Sequence, residues 1–336
     1  MTVYRNSRIV LASRPSGAFQ PSDLRVETEE LSSPDAGHAI VAVDTLSIDA
    51  FIRTILDDGS YHQSVPLGGL VMALGVGTVV DSADEALQPG DRVFGPLGAQ
   101  THARFPAAHL RKLDVHTVPA TAYLGALGMT TGLTAYFGIC EVGAVAAGDT
   151  VVVSGAAGAV GSVAGQLARI AGAGRVIGIA GGPRKAAFLV DELGYDAAID
   201  YKHEAVAARL HELAPDGVDV FFDNVGGAIL DAVLFQIRER GRIVICGAIS
   251  QYERMDRVAG PSNYLKLAER HARMEGFAVT HFGARFAEAE TALAGWLAEG
   301  RLRVHEHVLH GIENFPVALD TLLTGGHEGK LLLQVS

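Results

Sequence analysis

The sequence predicts an α/β protein in which a doubly wound parallel sheet is joined to a second, β-rich domain. Three observations carry this reading. Beyond Gly148-Asp149, short apolar strands alternate with helical stretches, the rhythm of βαβ units. The first of those strands runs into Gly155-x-x-Gly158-x-x-Gly161, a spacing that suits a tight strand-to-helix turn. Ahead of about Ala120 no stretch of helix length shows helical periodicity, and the chain reads as strands and turns. Its 336 residues accommodate two domains at about 150 residues each.

In chain order, Ala39–Leu46 and Gly75–Val80 are rich in β-formers. Gln88-Pro-Gly-Asp91 is a turn, because Pro89 presets φ and Gly90 tolerates positive φ, and it feeds a short strand at Arg92–Phe94. This part is β-dominated and barrel-like. Thr150–Ser154 is an apolar strand, and Val160, Val163, Ala164, Leu167, Ala168 and Ala171 then recur at helical spacing. The strand Arg175–Ala180, a helix over about Arg184–Leu193, the strand Ala197–Asp200 and a helix near Glu204–Leu213 follow. Val218–Asp223, a helix near Ala228–Ile237 and the strand Arg242–Cys246 complete the alternation. The tail holds helices near Ala284–Glu299 and Pro316–Leu323, and a last strand, Leu331–Val335, expected to return to a sheet begun near the N-terminus.

A hydrophobic share of 49% with 19% charged residues is that of a globular chain, not a disordered one. With 27 basic and 38 acidic residues the net charge is −11, which speaks against nucleic acid as a partner. Two cysteines, Cys140 and Cys246, build neither a disulfide scaffold nor a four-cysteine zinc site, so a reduced, cytoplasmic protein is expected. Residues 1–14 lack the apolar stretch of a signal peptide, and no apolar run is long enough to span a bilayer. No membrane partner is expected.

The glycine motif resembles the dinucleotide fingerprint, with an alanine where its middle glycine usually stands. Small residues are needed there so that a pyrophosphate can approach backbone N–H groups at a positive helix end; a tight turn without ligand is the alternative. An NAD site places an acid at the end of the second strand. Here Ala180-Gly181-Gly182-Pro183-Arg184-Lys185 has no acid and two cations. A 2′-phosphate would be held by Lys185 or Arg184, and Tyr201 could add a phenolic hydrogen bond, which points to NADP(H). The alternative is that both cations are solvated at a helix start. Gly325-Gly-His-Glu-Gly329-Lys330 is short by one residue for a P-loop, and Leu331 replaces its Ser/Thr. No Gly-x-Ser-x-Gly elbow occurs, and His305-Glu-His307 reads as surface histidines.

Several longer segments carry a family resemblance: Gly125–Met129 with Gly132–Gly138, and Val153–Ser162 with Gly165-Gln166. Gly217-Val-Asp-Val-Phe-Phe-Asp-Asn-Val-Gly-Gly227, Gly241-Arg-Ile-Val-Ile-Cys-Gly-Ala-Ile-Ser250 with Tyr252, and Gly260–Asn263 follow. Met274–Phe277, Trp296 with Glu299-Gly300, and Gly329-Lys330 complete the set. In these the chain resembles the zinc-independent medium-chain dehydrogenase/reductases, in the group of the prostaglandin reductases (leukotriene B4 12-hydroxydehydrogenases), alkenal double-bond reductases and curcumin reductase-like proteins. The match runs nearly the whole chain and is weakest over about residues 54–115.

The resemblance implies a GroES-like domain over residues 1–128 and 304–336 and a Rossmann domain over 129–303, with the cofactor in the cleft between them. It implies a cofactor-binding set of Gly155, Ala157, Gly158, Ala159, Val160, Gly181, Lys185, Tyr201, Asn224, Cys246, Ala248, Ser250, Tyr252 and His327. Within it, Lys185 and Tyr201 match the holders of the 2′-phosphate, and Asn224 runs beside the nicotinamide half. Tyr252 matches the tyrosine proposed to contact the substrate carbonyl or its enolate, and is the candidate catalytic residue. Phe51 stands where the family usually has a tyrosine, and His327 where it usually has an asparagine near the cofactor phosphate. Gly68-Gly69 stands roughly where zinc-dependent relatives carry Gly-His-Glu, so no metal is expected.

The activity implied is NADPH-dependent reduction of the C=C bond of α,β-unsaturated ketones or aldehydes. Hydride goes to the β-carbon and negative charge develops on an oxygen near Tyr252. An NADPH:quinone reductase and a non-catalytic, crystallin-like nucleotide-binding protein are the alternatives, separable by turnover on enones and quinones. Phe51, Tyr61 and Tyr252 are the candidate substrate contacts, although Phe51 and Tyr61 read equally as core. The family commonly pairs through Rossmann edge strands, so a homodimer is expected.

Overall fold

The computed structural model describes residues 2–58, 63–253 and 257–335. Its strands are β1 (Tyr4–Leu11), β2 (Leu24–Leu31), β3 (His38–Ser47), β4 (Gly75–Ser82), β5 (Arg92–Gly95), β6 (His102–Pro106) and β7 (Arg111–Lys112). They continue as β8 (Thr150–Ser154), β9 (Arg175–Ala180), β10 (Ala197–Asp200), β11 (Val218–Asp223), β12 (Ile237–Ile245), β13 (Arg273–Gly276), β14 (Glu306–His310) and β15 (Lys330–Gln334). The chain divides into two compact units, Met1–Leu124 with Glu306–His327 and Leu331–Ser336, and Gly125–His305 with Glu328–Lys330.

In the N-terminal unit, a sheet ordered β14-β15-β3-β4-β5-β7 also carries β6 on β3, and β1 and β2 form a separate antiparallel pair. β3 is the pivot. Its first half, His38–Ala42, pairs with β6, and its end, Thr45–Ser47, pairs with the last strand, β15. The exchange of partners coincides with a register break against β4 between Val43 and Thr45, a bulge that bends the strand and curls the sheet. The core of this unit includes Ile9, Leu46, Phe315, Leu331 and Leu333, all fully buried.

The second unit is a six-stranded parallel sheet ordered β10-β9-β8-β11-β12-β13. Counted along the chain from β8, the order is 3-2-1-4-5-6, that of a doubly wound dinucleotide fold. Val151, Val152 and Val153 of β8 and Phe221 and Phe222 of β11 are fully buried, as continuous apolar runs must be when helices cover both faces of a sheet.

Three features depart from the sequence reading. Residues 129–142 form a helical run with wide turns on either side of Thr134–Phe137. Its glycines hide the periodicity, yet Gly132 is required there: a Cβ at that position would lie 1.6 Å from the Ala126 carbonyl oxygen. β1 and β2 carry mixed polar sequences, and β13 is a largely exposed edge, so none shows strand-like alternation. The strand expected at Arg242–Cys246 begins earlier, at Ile237, and passes through Arg240 at φ 60°. Among the described residues, no helix is long and apolar enough to cross a membrane.

Candidate active site

β8 and β11 are neighbours whose following segments leave in opposite directions, so a crevice opens at their carboxyl ends, where ligands bind in open α/β sheets. The fingerprint glycines lie on its floor and do different work. Gly155 takes φ +58°, the left-handed conformation the turn requires. A Cβ on Gly161 would stand 2.4 Å from the Gly155 carbonyl oxygen and 2.7 Å from Ala156 Cα, so the helix Ala159–Ile170 can pack this close only with glycine there. Gly158 caps that helix, and the first N–H groups beyond it, at Ala159, Val160 and Gly161, are those a helix leaves without intrahelical partners. Such a helix start has the chemistry that suits a diphosphate.

The end of β9 forms the next wall. Gly182 has φ +98°, and its N–H donates to Asp200 Oδ1 at 2.7 Å. The Tyr201 ring and the Lys202 stem lie over Gly181, where a Cβ would meet each at 3.0 Å. Lys185 is half-buried; burial pushes its ammonium pKa down, as do the neighbouring Lys202 and Arg184 cations, while Glu328 acts the other way. A cation held among cations suits a second anion. Lys202 escaped the sequence reading, although a lysine directly after Tyr201 was the available signal. Gly329 N–H donates to the Ala157 carbonyl at 2.8 Å and bridges to Gly158, bringing Glu328–Lys330 to the fingerprint turn.

The third wall is the end of β11. Asp223 is fully buried, and its carboxylate accepts the Ser154 hydroxyl at 2.6 Å, Val225 N–H at 3.0 Å and Gly226 N–H at 3.0 Å. Burial raises its pKa and the three donors oppose that rise. Ser154 Oγ in turn accepts Asn224 N–H at 2.8 Å, and Asn224 Nδ2 donates to the Ser154 carbonyl at 2.7 Å. Asn224 is thereby clamped to the end of β8. The sequence reading missed Ser154 and Asp223 as a pair; the signal was a polar residue ending each of two buried strands.

The loop after β12 completes the group. Ser250 Oγ donates to the Val225 carbonyl at 2.6 Å, and Ile249 N–H donates to the Asn224 carbonyl at 3.2 Å. The Tyr252 hydroxyl folds back over Gly247, where a Cβ would stand 3.1 Å from it, and accepts Ala248 N–H at 3.4 Å. Burial pushes the Cys246 thiol up to about 12, and Cys140 up to about 11, so neither is a thiolate at neutral pH.

Of the sequence-predicted residues, the second unit brings together Gly155, Ala157, Gly158, Ala159, Val160, Gly181, Lys185, Tyr201, Asn224, Cys246, Ala248, Ser250 and Tyr252. Phe51 and His327 belong to the N-terminal unit. There Phe51 packs, partly buried, against the core, and His327 is 7% exposed. Tyr61 lies outside the described residues.

Residues 159–295 match a family model described as zinc-binding dehydrogenase, and residues 7–113 one described as the N-terminal domain of oxidoreductase. Among the described residues no three His, Cys, Asp or Glu side chains are grouped to hold a metal. The chain is 34% identical over 338 residues to the NADPH-dependent curcumin reductase of Escherichia coli, covering 99% of this chain and 97% of that one. It is 36% identical over 338 residues to the NADP(+)-dependent 2-alkenal reductase of Nicotiana tabacum, covering 98% of each. Among solved structures it is similar to CurA from Vibrio vulnificus in complex with NADPH, with TM-score 0.92, 34% identity and coverage of 98% of this chain and 99% of that one.

Proposed function

From the premise that the chain belongs to the medium-chain dehydrogenase/reductases, in the group of the curcumin, 2-alkenal and prostaglandin reductases, we propose that it reduces the C=C bond of α,β-unsaturated ketones and aldehydes with NADPH. The observation that carries this reading is the crescent at the switch point. It runs from the Lys185–Tyr201–Lys202 group, past the diphosphate seat, to the clamped Asn224 and the Tyr252 hydroxyl.

Bound NADPH supplies a hydride to the substrate β-carbon. The chain supplies the rest. N–H groups at the start of Ala159–Ile170 take the diphosphate, and Lys185 and Tyr201 take the 2′-phosphate by charge-assisted hydrogen bonds. Asn224, braced by Ser154 and Asp223, fixes the wall beside the nicotinamide. The Tyr252 hydroxyl donates to the substrate oxygen as that oxygen gains negative charge, a contact stronger in the transition state than in the ground state. The α-carbon proton comes from solvent.

NADPH consumption with an aliphatic 2-alkenal, an aryl enone and a quinone, with product identification, tests this. Saturated products that keep their carbonyl are expected. Turnover of the quinone alone would make the chain a quinone reductase, and NADPH binding without turnover would favour a non-catalytic role. Lys185→Ala is expected to weaken NADPH binding by about 10- to 100-fold, the worth of a charged hydrogen bond, and to move NADH by less than twofold. Equal losses for both nucleotides would remove Lys185 from the 2′-phosphate.

The partner expected is a second copy of the chain. β13 ends the parallel sheet among the described residues, and edge pairing of two copies would continue the sheet across the dimer. Light scattering is expected to give about twice the chain mass of 35.2 kDa; a monomer in dilute solution would exclude the dimer.

A further inference from the structure

We propose that Glu328 sets the cofactor preference of this chain by acting against the 2′-phosphate, an inference that rests on the 2′-phosphate site assigned above. The end of β9 lacks the acid by which NAD sites hold a ribose, but the fold delivers a carboxylate to the same place from the far end of the chain. Glu328 Oε1 stands 3.0 Å from Arg184 Nε as an ion pair. Glu328 also acts on Lys185, the residue assigned to the phosphate.

The carboxylate is not a loose tail. The residue after it is hydrogen-bonded to the fingerprint turn, Gly329 N–H to the Ala157 carbonyl at 2.8 Å, and Lys330 N–H donates to the His305 carbonyl at 2.8 Å. Gly329 itself has φ +67°, and a Cβ there would stand 2.0 Å from the His305 carbonyl oxygen, so this close approach of the segment to His305 requires glycine. The Glu328 side chain is 12% exposed against 74% for Arg184. A carboxylate so poorly hydrated is weakly screened, and its field reaches across the cation group.

A phosphate entering among Arg184, Lys185 and Lys202 brings nearly two negative charges beside that carboxylate, whereas a ribose hydroxyl brings none. Glu328 therefore opposes NADPH and leaves NADH unaffected, while holding Arg184 in place when no phosphate is bound. The preference for NADPH is smaller than the three cations alone would produce.

Calorimetric titration of adenosine 2′,5′-bisphosphate, AMP, NADPH and NADH into the whole protein tests this with Glu328→Gln, Glu328→Asp and Lys185→Ala, each checked by thermal melting. Glu328→Gln is expected to tighten both 2′-phosphorylated ligands by about tenfold. AMP and NADH should move by less than twofold, and Glu328→Asp, which keeps the charge, should resemble the parent. If Lys185→Ala weakens NADPH while Glu328→Gln leaves it unchanged or weaker, the inference fails and the cofactor site stands. If Lys185→Ala also changes nothing, both fail.

Discussion

Tyr252→Phe is expected to lower kcat on an enone by about a hundredfold while leaving the NADPH dissociation constant unchanged. Removing one donor to a developing oxyanion typically costs about 10²- to 10³-fold in kcat, or about 3–4 kcal/mol. The hydroxyl is the only atom lost, and its contact with Ala248 N–H, at 3.4 Å, is long for a hydrogen bond. The effect should therefore fall on kcat with little change in KM, since the substrate oxygen carries its charge chiefly in the transition state. Single-turnover kinetics on one enone, with NADPH binding followed by fluorescence, is the measurement. Undiminished turnover would leave Tyr252 as a wall of the site and would move the oxyanion donor elsewhere.

Gly165→Ala is expected to destabilise the protein by about 3 kcal/mol and to lower Tm by several degrees. Gly165 lies on the helix that follows the diphosphate seat, and the ring of Tyr195 rests directly on it. A Cβ there would stand 2.0 Å from Tyr195 Cζ and 2.1 Å from its hydroxyl. Tyr195 is buried and its hydroxyl donates to the Gly161 carbonyl at 2.7 Å, so the ring cannot retreat without stranding a buried polar group. The same burial drives the phenol pKa upward, which keeps Tyr195 a neutral donor. Thermal and urea unfolding of the variant, compared with Tyr195→Phe, separates the two contributions. Tyr195→Phe loses only the hydrogen bond and should cost about 1–2 kcal/mol. A Gly165→Ala protein as stable as the parent would mean that the helix can move away from the ring.

Much of the proposed cofactor site rests on signals that are local in the sequence. The fingerprint Gly155–Gly161, the absence of an acid after β9 and the cations at Arg184 and Lys185 each lie within a few residues of a strand end. What hydrogen-bonds or ion-pairs across the sheet was not legible. The Ser154–Asp223 hydrogen bond joins residues 69 apart in sequence, and nothing in either strand names its partner. Lys202 and Glu328 carry charges that read as solvated surface until Gly181 and Arg184 are placed beside them.

The sequence by itself determined the class of fold, since runs such as Val151–Val153 and Val220–Phe222 are stable only as interior strands of a sheet covered on both faces. It also pointed to a diphosphate as ligand, because glycines at 155, 158 and 161 after an apolar strand suit the approach of one to backbone N–H groups, with a ligand-free tight turn as the alternative. Only the tertiary structure decided which charges meet at the end of β9 and which side chains brace Asn224. Backbone conformation and amphipathic pattern are set by neighbours in the chain, whereas an ion pair or a buried hydrogen bond depends on the register in which distant strands and loops come together.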